Sequence, residues 1–482
     1  MSKISVDEIF YEDFVYPRSK HSDITVDSYT ESLLSGAEFP AIELQRVQYD
    51  GEVKNVLVDG WHRWQAHIKA SKQGDLFVDA DNFKQIEFQY WQLDKILPRN
   101  DTLEMLRMKL RAAAVNSQHG DRLKITEKES VAREIAENSP KEEITQKEVA
   151  AGLGVRQQQI SEWVADIRAR QTAGRDCLIK KLSLLGWTQA EIGEKVGISR
   201  NRVSEIVGNT DFGKTDTELQ TFLSQGRQMD WITEHYSIDM PLAWALRLYG
   251  MPDLERFKEL EIPLKLYDDW SFQGCDVRMG ISYPGRIPGQ LVMNALYYYT
   301  EPGDLVIDPM AGGGSVVDAC LLMNRKCYAY DLVPSREDIQ EHDIESSLPP
   351  ASDKCALMFI DPPYWSMLDE QYSDEAVSSK TLPEFNEWLG KLASDCYTTL
   401  KPGAKLAFLI QNQTEKDIPE GEYYLDHVFT AYKGFVDAGF KMMRRINCPL
   451  NTETFTPQQV DASKEAKHLM GLVRDLLVMI KE

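Results

Sequence analysis

Asp361-Pro362-Pro363-Tyr364-Trp365 closes the apolar run Ala356-Leu357-Met358-Phe359-Ile360, which suits a buried parallel strand. Such a strand delivers one carboxylate, one rigid turn and one aromatic ring to its carboxyl edge. Ligands of open α/β sheets bind at that edge. Two prolines fix φ and lack N–H, so the turn offers carbonyl oxygens only. Asp361 and those carbonyls can accept both hydrogens of a planar amino group while Tyr364 stacks on its ring. That arrangement would hold the exocyclic amine of a base for attack on a methyl donor. The plainer alternative is a strand-to-loop turn with a capping Asp.

Upstream elements must position this motif. Leu305-Val306-Ile307 is a second buried strand, followed by Asp308-Pro309-Met310-Ala311-Gly312-Gly313-Gly314-Ser315 and a helix over 316–323. Consecutive glycines let a ligand approach the backbone, and free amides at a helix start favour an anionic group. No Gly-Lys-Ser/Thr ending follows, which excludes a P-loop. A third strand over 327–330 ends in Asp331, placed to bond ribose hydroxyls. His342-Asp343 closes the next strand and can meet an adenine edge. Tyr283 to Gln290 leads into an apolar helix over 291–299. A helix over 385–400 precedes a buried strand over 406–410, and 472–480 reads as a strand or a helix. Strands alternating with helices imply a doubly wound sheet.

Glycine loop, acid, then Asp-Pro-Pro-Tyr, in that order, resembles the amino-group DNA methyltransferases that use S-adenosylmethionine. The resemblance spans roughly 270–482. It implies that Asp308, Pro309, Ala311, Gly312 and Gly314 cradle the donor's methionine part, Asp331 its ribose and Asp343 its adenine. Asp361, Pro362, Pro363 and Tyr364 would hold the target amine. Asp in the first motif position implies adenine N6 ahead of cytosine N4. Met310 stands where the family usually has Phe. Only 53 residues separate Asp308 from Asp361, too few for a target-recognition domain. Sequence choice must then come from elsewhere in the chain.

A length of 482 residues suits about three domains, and 43% apolar residues can fill several cores. The seven cysteines show no CxxC spacing, so neither a disulfide framework nor a zinc ribbon is expected, and no metal site. No signal peptide or long apolar run occurs, so neither export nor membrane insertion is expected. We read a cytoplasmic protein. A net charge of −22 speaks superficially against nucleic acid, but binding needs only a basic face.

Near the start, a strand over 39–44 and another over 56–60 lead into the helix opened by Trp61-His62-Arg63. Arg63 in a first turn after Gly60 suits a phosphate. The block 59–66 resembles the nucleotide-binding box of the ParB/sulfiredoxin superfamily, and 116–122 resembles its second box. Trp61 replaces the reactive Cys of sulfiredoxins, which excludes their chemistry. The resemblance implies a site for a nucleoside triphosphate, ATP or CTP, or for a DNA end, using Arg63, Asn116 and Arg122. The alternative is that these residues are structural, with Arg63 paired to a carboxylate.

Between the two ends lies a repeat. Thr145 to Glu162 recurs as Thr188 to Glu205 at an offset of 43. Each copy carries a small residue in its first helix (Ala150, Gly193), a turn glycine (Gly154, Gly197) and β-branched residues behind. These are helix-turn-helix constraints. The second helices would present Arg156, Gln157 and Gln158, and Ser199, Arg200, Asn201 and Arg202, to a major groove. The alternative is a hairpin used for packing.

The expected architecture is a multidomain α/β chain. A ParB/sulfiredoxin-like α+β domain occupies 1–125, two helix-turn-helix units 126–212, a helical connector 213–268 and a Rossmann-like methyltransferase sheet 269–482. The whole resembles ParB-domain DNA methyltransferases of bacteria, phages and mobile elements. Double-stranded DNA is the implied partner, and paired half-sites would suit a homodimer and a restriction-modification setting. RNA methylation, or a non-enzymatic partition protein, are the rivals.

Overall fold

A computed structural model describes residues 2–18, 21–73, 80–118, 122–139, 143–208, 239–365, 377–413, 424–449, 456–467, 469, 471 and 473–482. The chain divides into two compact units, Met1–Thr172 and Ala173–Glu482. That division runs through the expected 126–212 block rather than around it, so the two repeats belong to different units.

In the first unit, strands β1 (Ser2–Ser5), β2 (Ile9–Phe10), β3 (Ile42–Tyr49), β4 (Glu52–Asp59), β5 (Gln85–Tyr90) and β6 (Ile96–Pro98) form one mixed sheet. Its order is β1-β5-β3-β4-β2, with β6 also on β3. β3 extends well past the expected 39–44 because its antiparallel pairing with β4 runs to Tyr49–Glu52. Helices α1 (Asp23–Leu34) and α2 (Trp61–Lys72) pack together, and α3 (Thr102–Gln118) packs on β4. α2 starts at Gly60, whose φ is +103°. A Cβ there would sit 2.5 Å from Ile42 Cγ2, so only glycine fits the turn. α4 (Ile125–Asn138), α5 (Gln146–Leu153) and α6 (Gln157–Trp163) share an apolar core with α3.

α7 (Ala165–Leu184) crosses from one unit into the next. The second unit then holds α8 (Gln189–Val196) and α9 (Arg200–Gly208). The two repeats are built alike. Thr145 and Thr188 each form a capping box, with Glu148 and Glu191, and Gly154 and Gly197 each end the first helix in the left-handed region. A Cβ on Gly193 would meet the Ile198 carbonyl at 2.7 Å, which accounts for the small residue where the helices cross.

α10 (Met240–Arg247) and α11 (Asp253–Glu259) follow, the described part of the expected connector. Trp231 and the rest of 213–238 lie outside the described residues. Both helices bury apolar residues in the same core as the main sheet. α12 (Gly289–Tyr299), β7 (Leu305–Asp308), α13 (Ser315–Leu322), β8 (Lys326–Asp331), β9 (Ile339–Glu341) and β10 (Leu357–Ile360) lead through the two motifs. α14 (Leu382–Thr399), β11 (Lys405–Gln411), α15 (His427–Ala438), β12 (Lys441–Pro449), α16 (Pro457–Ala466) and β13 (Val473–Ile480) complete the unit.

The seven strands run β12-β13-β11-β10-β7-β8-β9. β9, β8, β7, β10 and β11 are parallel, while β13 is antiparallel to both neighbours, β11 and β12. The 472–480 alternative thus resolves to a strand. Side chains alternate across this sheet into two cores. Val306, Leu357, Phe359 and Ala407 face one, with α12 and α13; Ile307, Met358, Ile360 and Phe408 face the other, with α14 and α15. Coverage on both faces explains why these strands read as continuous apolar runs.

The second repeat shares the first of these cores through Trp187, Ile192 and Val203. Leu185 O accepts from Cys327 N at 2.9 Å and Trp187 Nε1 donates to Cys327 O at 3.2 Å. Lys195 Nζ donates to Ile339 O. Gly186 makes the approach feasible, since a Cβ there would overlap Lys326 at 2.5 Å. Deeper in the unit, Lys181 of α7 is 4% exposed and pairs with Asp239 (2.9 Å), Asp318 (3.2 Å) and Asp338 (2.9 Å). Arg336 also binds Asp318 and Asp338.

Candidate active site

A cavity of about 900 Å³ opens at the carboxyl ends of β7, β8 and β10. That is near the upper end for small-molecule sites. Each strand contributes an acid as its last or next residue: Asp308, Asp331 and Asp361. Pro309, Ala311, Gly312, Asp343, Pro362, Pro363 and Tyr364 line it too.

The glycine loop is shaped by contact. Gly312 has φ +47°, and a Cβ on it would meet the Tyr283 ring at 3.1 Å. Asp331 Oδ2 accepts from Gly312 N at 2.8 Å and Oδ1 from Val333 N at 3.1 Å, so the acid also holds the loop. Asp308 Oδ1 accepts from Met310 N at 3.1 Å. Gly314 departs from its expected role. It does not line the cavity but caps α13 at φ +79°, where a Cβ would collide with the Arg336 guanidinium at 2.4 Å. Its glycine identity makes room for the Arg336 guanidinium.

Burial dominates the electrostatics. It pushes Asp308 well above the usual carboxylate range, with Asp331 and Asp361 adding repulsion against the Met310 hydrogen bond. It raises Asp331 against the backbone donors from Gly312 and Val333. It lifts Asp361 to about 6, opposed by the charge of Arg474 and a hydrogen bond from Tyr364. Three acids with proton affinities raised by burial thus gather at one sheet edge, the kind of cluster that marks a candidate site.

Tyr364 donates its hydroxyl to Asp361 Oδ1 at 3.0 Å. Burial first, and the Asp361 charge second, raise its pKa. In this state the phenol occupies an acceptor that an amine would need. Arg474, Gln411 and Tyr283 line the cavity as well and were given no role from the sequence. Tyr283 sits in a segment whose apolar helix was recognised, but its approach to the glycines is tertiary. Arg474 carried no signal, because its strand could equally have been a helix.

The expected DNA-reading residues Arg156, Gln157, Gln158, Ser199, Arg200, Asn201 and Arg202 lie at the starts of the second helices, and Arg200, Asn201 and Arg202 are exposed. Arg202 pairs with Glu205 on its own helix. The expected nucleotide residues are differently placed. Arg63 is committed to Asp59 at 2.5 Å and to the Pro40 and Ala41 carbonyls at 2.7 and 2.9 Å. Asn116 is buried, donates to Ala112 O and accepts from Arg18. Arg122 is exposed. Part of the second box, 119–121, lies outside the described residues.

Residues 249–341 match the family model described as DNA methylase, of the N6/N4 methyltransferases. The match ends before Asp361. No curated protein matches the chain. Partial overlaps occur with solved structures. TrmN from Thermus thermophilus overlaps at 14% identity and TM-score 0.27, over 41% of this chain and 50% of that one. This chain thus spans half of TrmN. A putative DNA modification methylase from Thermus thermophilus, complexed with S-adenosyl-L-methionine, overlaps at 16% identity and TM-score 0.20, over 29% and 51%. A putative sarcosine dimethylglycine methyltransferase from Galdieria sulphuraria overlaps at 11% identity and TM-score 0.29, over 48% and 98%. Overlaps this partial transfer no residue roles. The match over 249–341 makes this stretch of the second unit, which holds β7, the glycine loop and β8, similar to a DNA methylase domain.

Proposed function

We propose that the chain methylates the exocyclic amine of a base flipped out of double-stranded DNA, adenine N6 ahead of cytosine N4. The observation that carries this reading is Asp361 in the cavity wall, followed by a turn of two prolines and across from the glycine loop. Bound S-adenosylmethionine supplies a methyl group made electrophilic by its sulfonium. The backbone at Ala311 to Gly313 would hold the donor's methionine part, Asp331 its ribose and Asp343 its adenine. Asp331 keeps lone pairs after accepting two backbone hydrogens, so ribose hydroxyls can still bind it.

The target leaves the stack because its amine is out of reach inside a duplex. Tyr364 then exchanges its bond to Asp361 for stacking on the base. Asp361 and a proline carbonyl accept the two amine hydrogens and so orient the nitrogen lone pair. The proton shed by the nitrogen passes to Asp361, whose raised proton affinity suits the task, and then to water. Positioning supplies most of the rate. Tritium from labelled donor should appear in DNA, as N6-methyladenine after digestion. Label in N4-methylcytosine would shift the target, label in RNA alone would overturn the duplex reading, and absence of both label and donor binding would sink the enzyme.

The helix-turn-helix copies are proposed as the readers that the methylase segment lacks. Arg200→Ala should weaken DNA binding by about 1–3 kcal/mol if it reads a base. If it touches phosphate instead, the loss should be uniform across sequences and the salt slope should fall by about one. Filter binding at several salt concentrations distinguishes these, and unchanged affinity and slope would remove α9 from the interface. Paired half-sites suit a dimer, and a bacterial, phage or mobile-element cytoplasm is the setting for such an enzyme.

For the first unit we retain the ParB-like nucleotide site as a proposal with a specific obstacle, the Arg63–Asp59 pair. A phosphate must displace Asp59. Asp59→Asn should therefore raise affinity for ATP or CTP roughly tenfold, the scale of one charge-assisted bond. Calorimetric titration of the full chain showing equal heats, or none, in both proteins would retire the site.

A further inference from the structure

Beyond Asp361 the cavity wall holds two polar side chains that the chemistry above does not use. Gln411 ends β11 and Arg474 lies near the start of β13, and the two stand opposite each other in the ladder. Because β13 runs against its neighbours, its amino end lies where theirs finish. Each residue is 5% exposed, and both line the cavity with Asp361 and Tyr364.

A guanidinium carries five donors and no acceptor, so burying one without partners is costly. Arg325, the most enclosed arginine, shows the structural solution. It binds both oxygens of Asp253, the Thr300 hydroxyl and the carbonyls of Thr300 and Met323. Arg474 is not treated this way. Its Nε has no partner, and among the described residues no carboxylate comes within ion-pair distance. The adjacent Asp475 is taken by Arg445 at 2.8 Å. Arg474 instead faces the Tyr364 phenol, and its charge is felt by Asp361. Gln411 has no side-chain hydrogen bond among the described residues.

Position narrows the ligand. In the sheet, β11 and β13 lie on one side of β10, and the strands bearing the glycine loop and Asp331 lie on the other. Arg474 is therefore on the target's side of Asp361. It is also deep, where a base reaches more readily than its phosphate. The exocyclic amines of adenine and cytosine have a ring-nitrogen acceptor and no ring N–H beside them: N1, with N7 across the fused ring, in adenine, and N3 in cytosine. Thymine and guanine place a ring N–H beside their carbonyl instead.

We propose that Arg474, with Gln411 beside it, forms the subsite that recognises the ring-nitrogen acceptor flanking the target amine. The inference rests on the amino-methyltransferase reading and adds a specificity-determining residue to it. Asp361 selects for amine hydrogens, and Arg474 selects for the neighbouring lone pair. A base with N–H at that place sets donor against donor and leaves buried groups unpaired, the strongest form of rejection.

The test pairs protein and base changes. Once the methylated position is mapped, synthetic duplexes are made with a single 1-deazaadenine or 7-deazaadenine, or a single 3-deazacytosine, at that position, according to which base the wild type labels. Tritium transfer is compared for the full-length wild type, Arg474→Met and Arg474→Lys. Arg474→Met should lower kcat/KM at least about tenfold on natural DNA, the value of one charge-assisted bond. One deaza base should cost the wild type a similar factor and cost Arg474→Met almost nothing more. Comparing the two ratios cancels any effect of the analogue on groove reading. Arg474→Lys should lie between. A wild type indifferent to every analogue, or losses that simply multiply, overturns the inference. So does loss of donor binding in both variants with unchanged circular dichroism, which would assign Arg474 to the donor. No transfer by the wild type to any natural DNA overturns the enzyme reading itself, whereas transfer that ignores Arg474 overturns this inference alone.

Discussion

Asp361→Ala is expected to remove methyl transfer while DNA and donor binding persist. The loss should be on the order of 10² to 10⁴ in kcat, the range for a positioned group that handles a proton in the transition state. Asp361 lines the cavity but makes no ion pair with a described residue, so its removal should leave the sheet edge intact. Its raised proton affinity gives the expected pH dependence. With a value of about 6, the carboxylate loses acceptor capacity as pH falls below that point, and transfer should decline on the acid side. Arg474 lowers that value, so Arg474→Met should move the acid limb upward. Stability should run the other way. A carboxyl group whose folded value lies above its unfolded value of about 3.9 destabilises the fold above pH 6, and the penalty fades between 6 and 4. Asp361→Asn should therefore raise the melting temperature at neutral pH while transfer is lost. Tritium incorporation, filter binding and calorimetry check these points, and loss of DNA binding in Asp361→Ala would contradict the division of labour.

Lys181→Met should be strongly destabilising although it lies outside the apolar core. Burial alone would lower the pKa of this lysine, but Asp318, Asp338 and Asp239 outweigh it and Arg336 opposes, for a net rise. The ammonium is thus held charged among three carboxylates. Without it, the buried Asp318 and Asp338 share one guanidinium, that of Arg336. Breaking a buried pair in this way costs about 3–5 kcal/mol. Over a unit of this size that is a fall of roughly 5–8 °C in Tm. Function should suffer beyond stability. Asp318 also accepts from Gly280 N, and Arg336 packs against Gly314 of the glycine loop. The donor's KM should therefore rise even at temperatures where the variant is folded. A thermal melt within a degree or two of wild type would show that the cluster is dispensable.

The sequence made some of this legible and hid the rest for definite reasons. Strands ending in Asp308, Asp331 and Asp361 were readable because a doubly covered sheet demands apolar runs and its ligand edge demands polar ends. The helix-turn-helix copies were readable because caps and turns are local: Thr145 and Thr188, Gly154 and Gly197 recur in step. Arg474 was hidden, since strand direction, not residue type, brings it to the cavity. The tight approach of Arg336 to Gly314 was hidden, because three consecutive glycines look alike in sequence. The shared core of the second repeat and the main sheet was hidden too, because Ile192 and Val203 would suit any helical hairpin.

That shared core has a geometric consequence. With Leu185, Trp187 and Lys195 bonded to β8 and β9, α9 and the cavity belong to one solid piece. If α9 reads bases, the protein works as a ruler with a fixed offset between the mark it reads and the mark it writes. Modified bases in a host genome would then sit at a constant count of base pairs from the sequence contacted by α9. A single inserted base pair would turn the two positions apart around the duplex and silence the site.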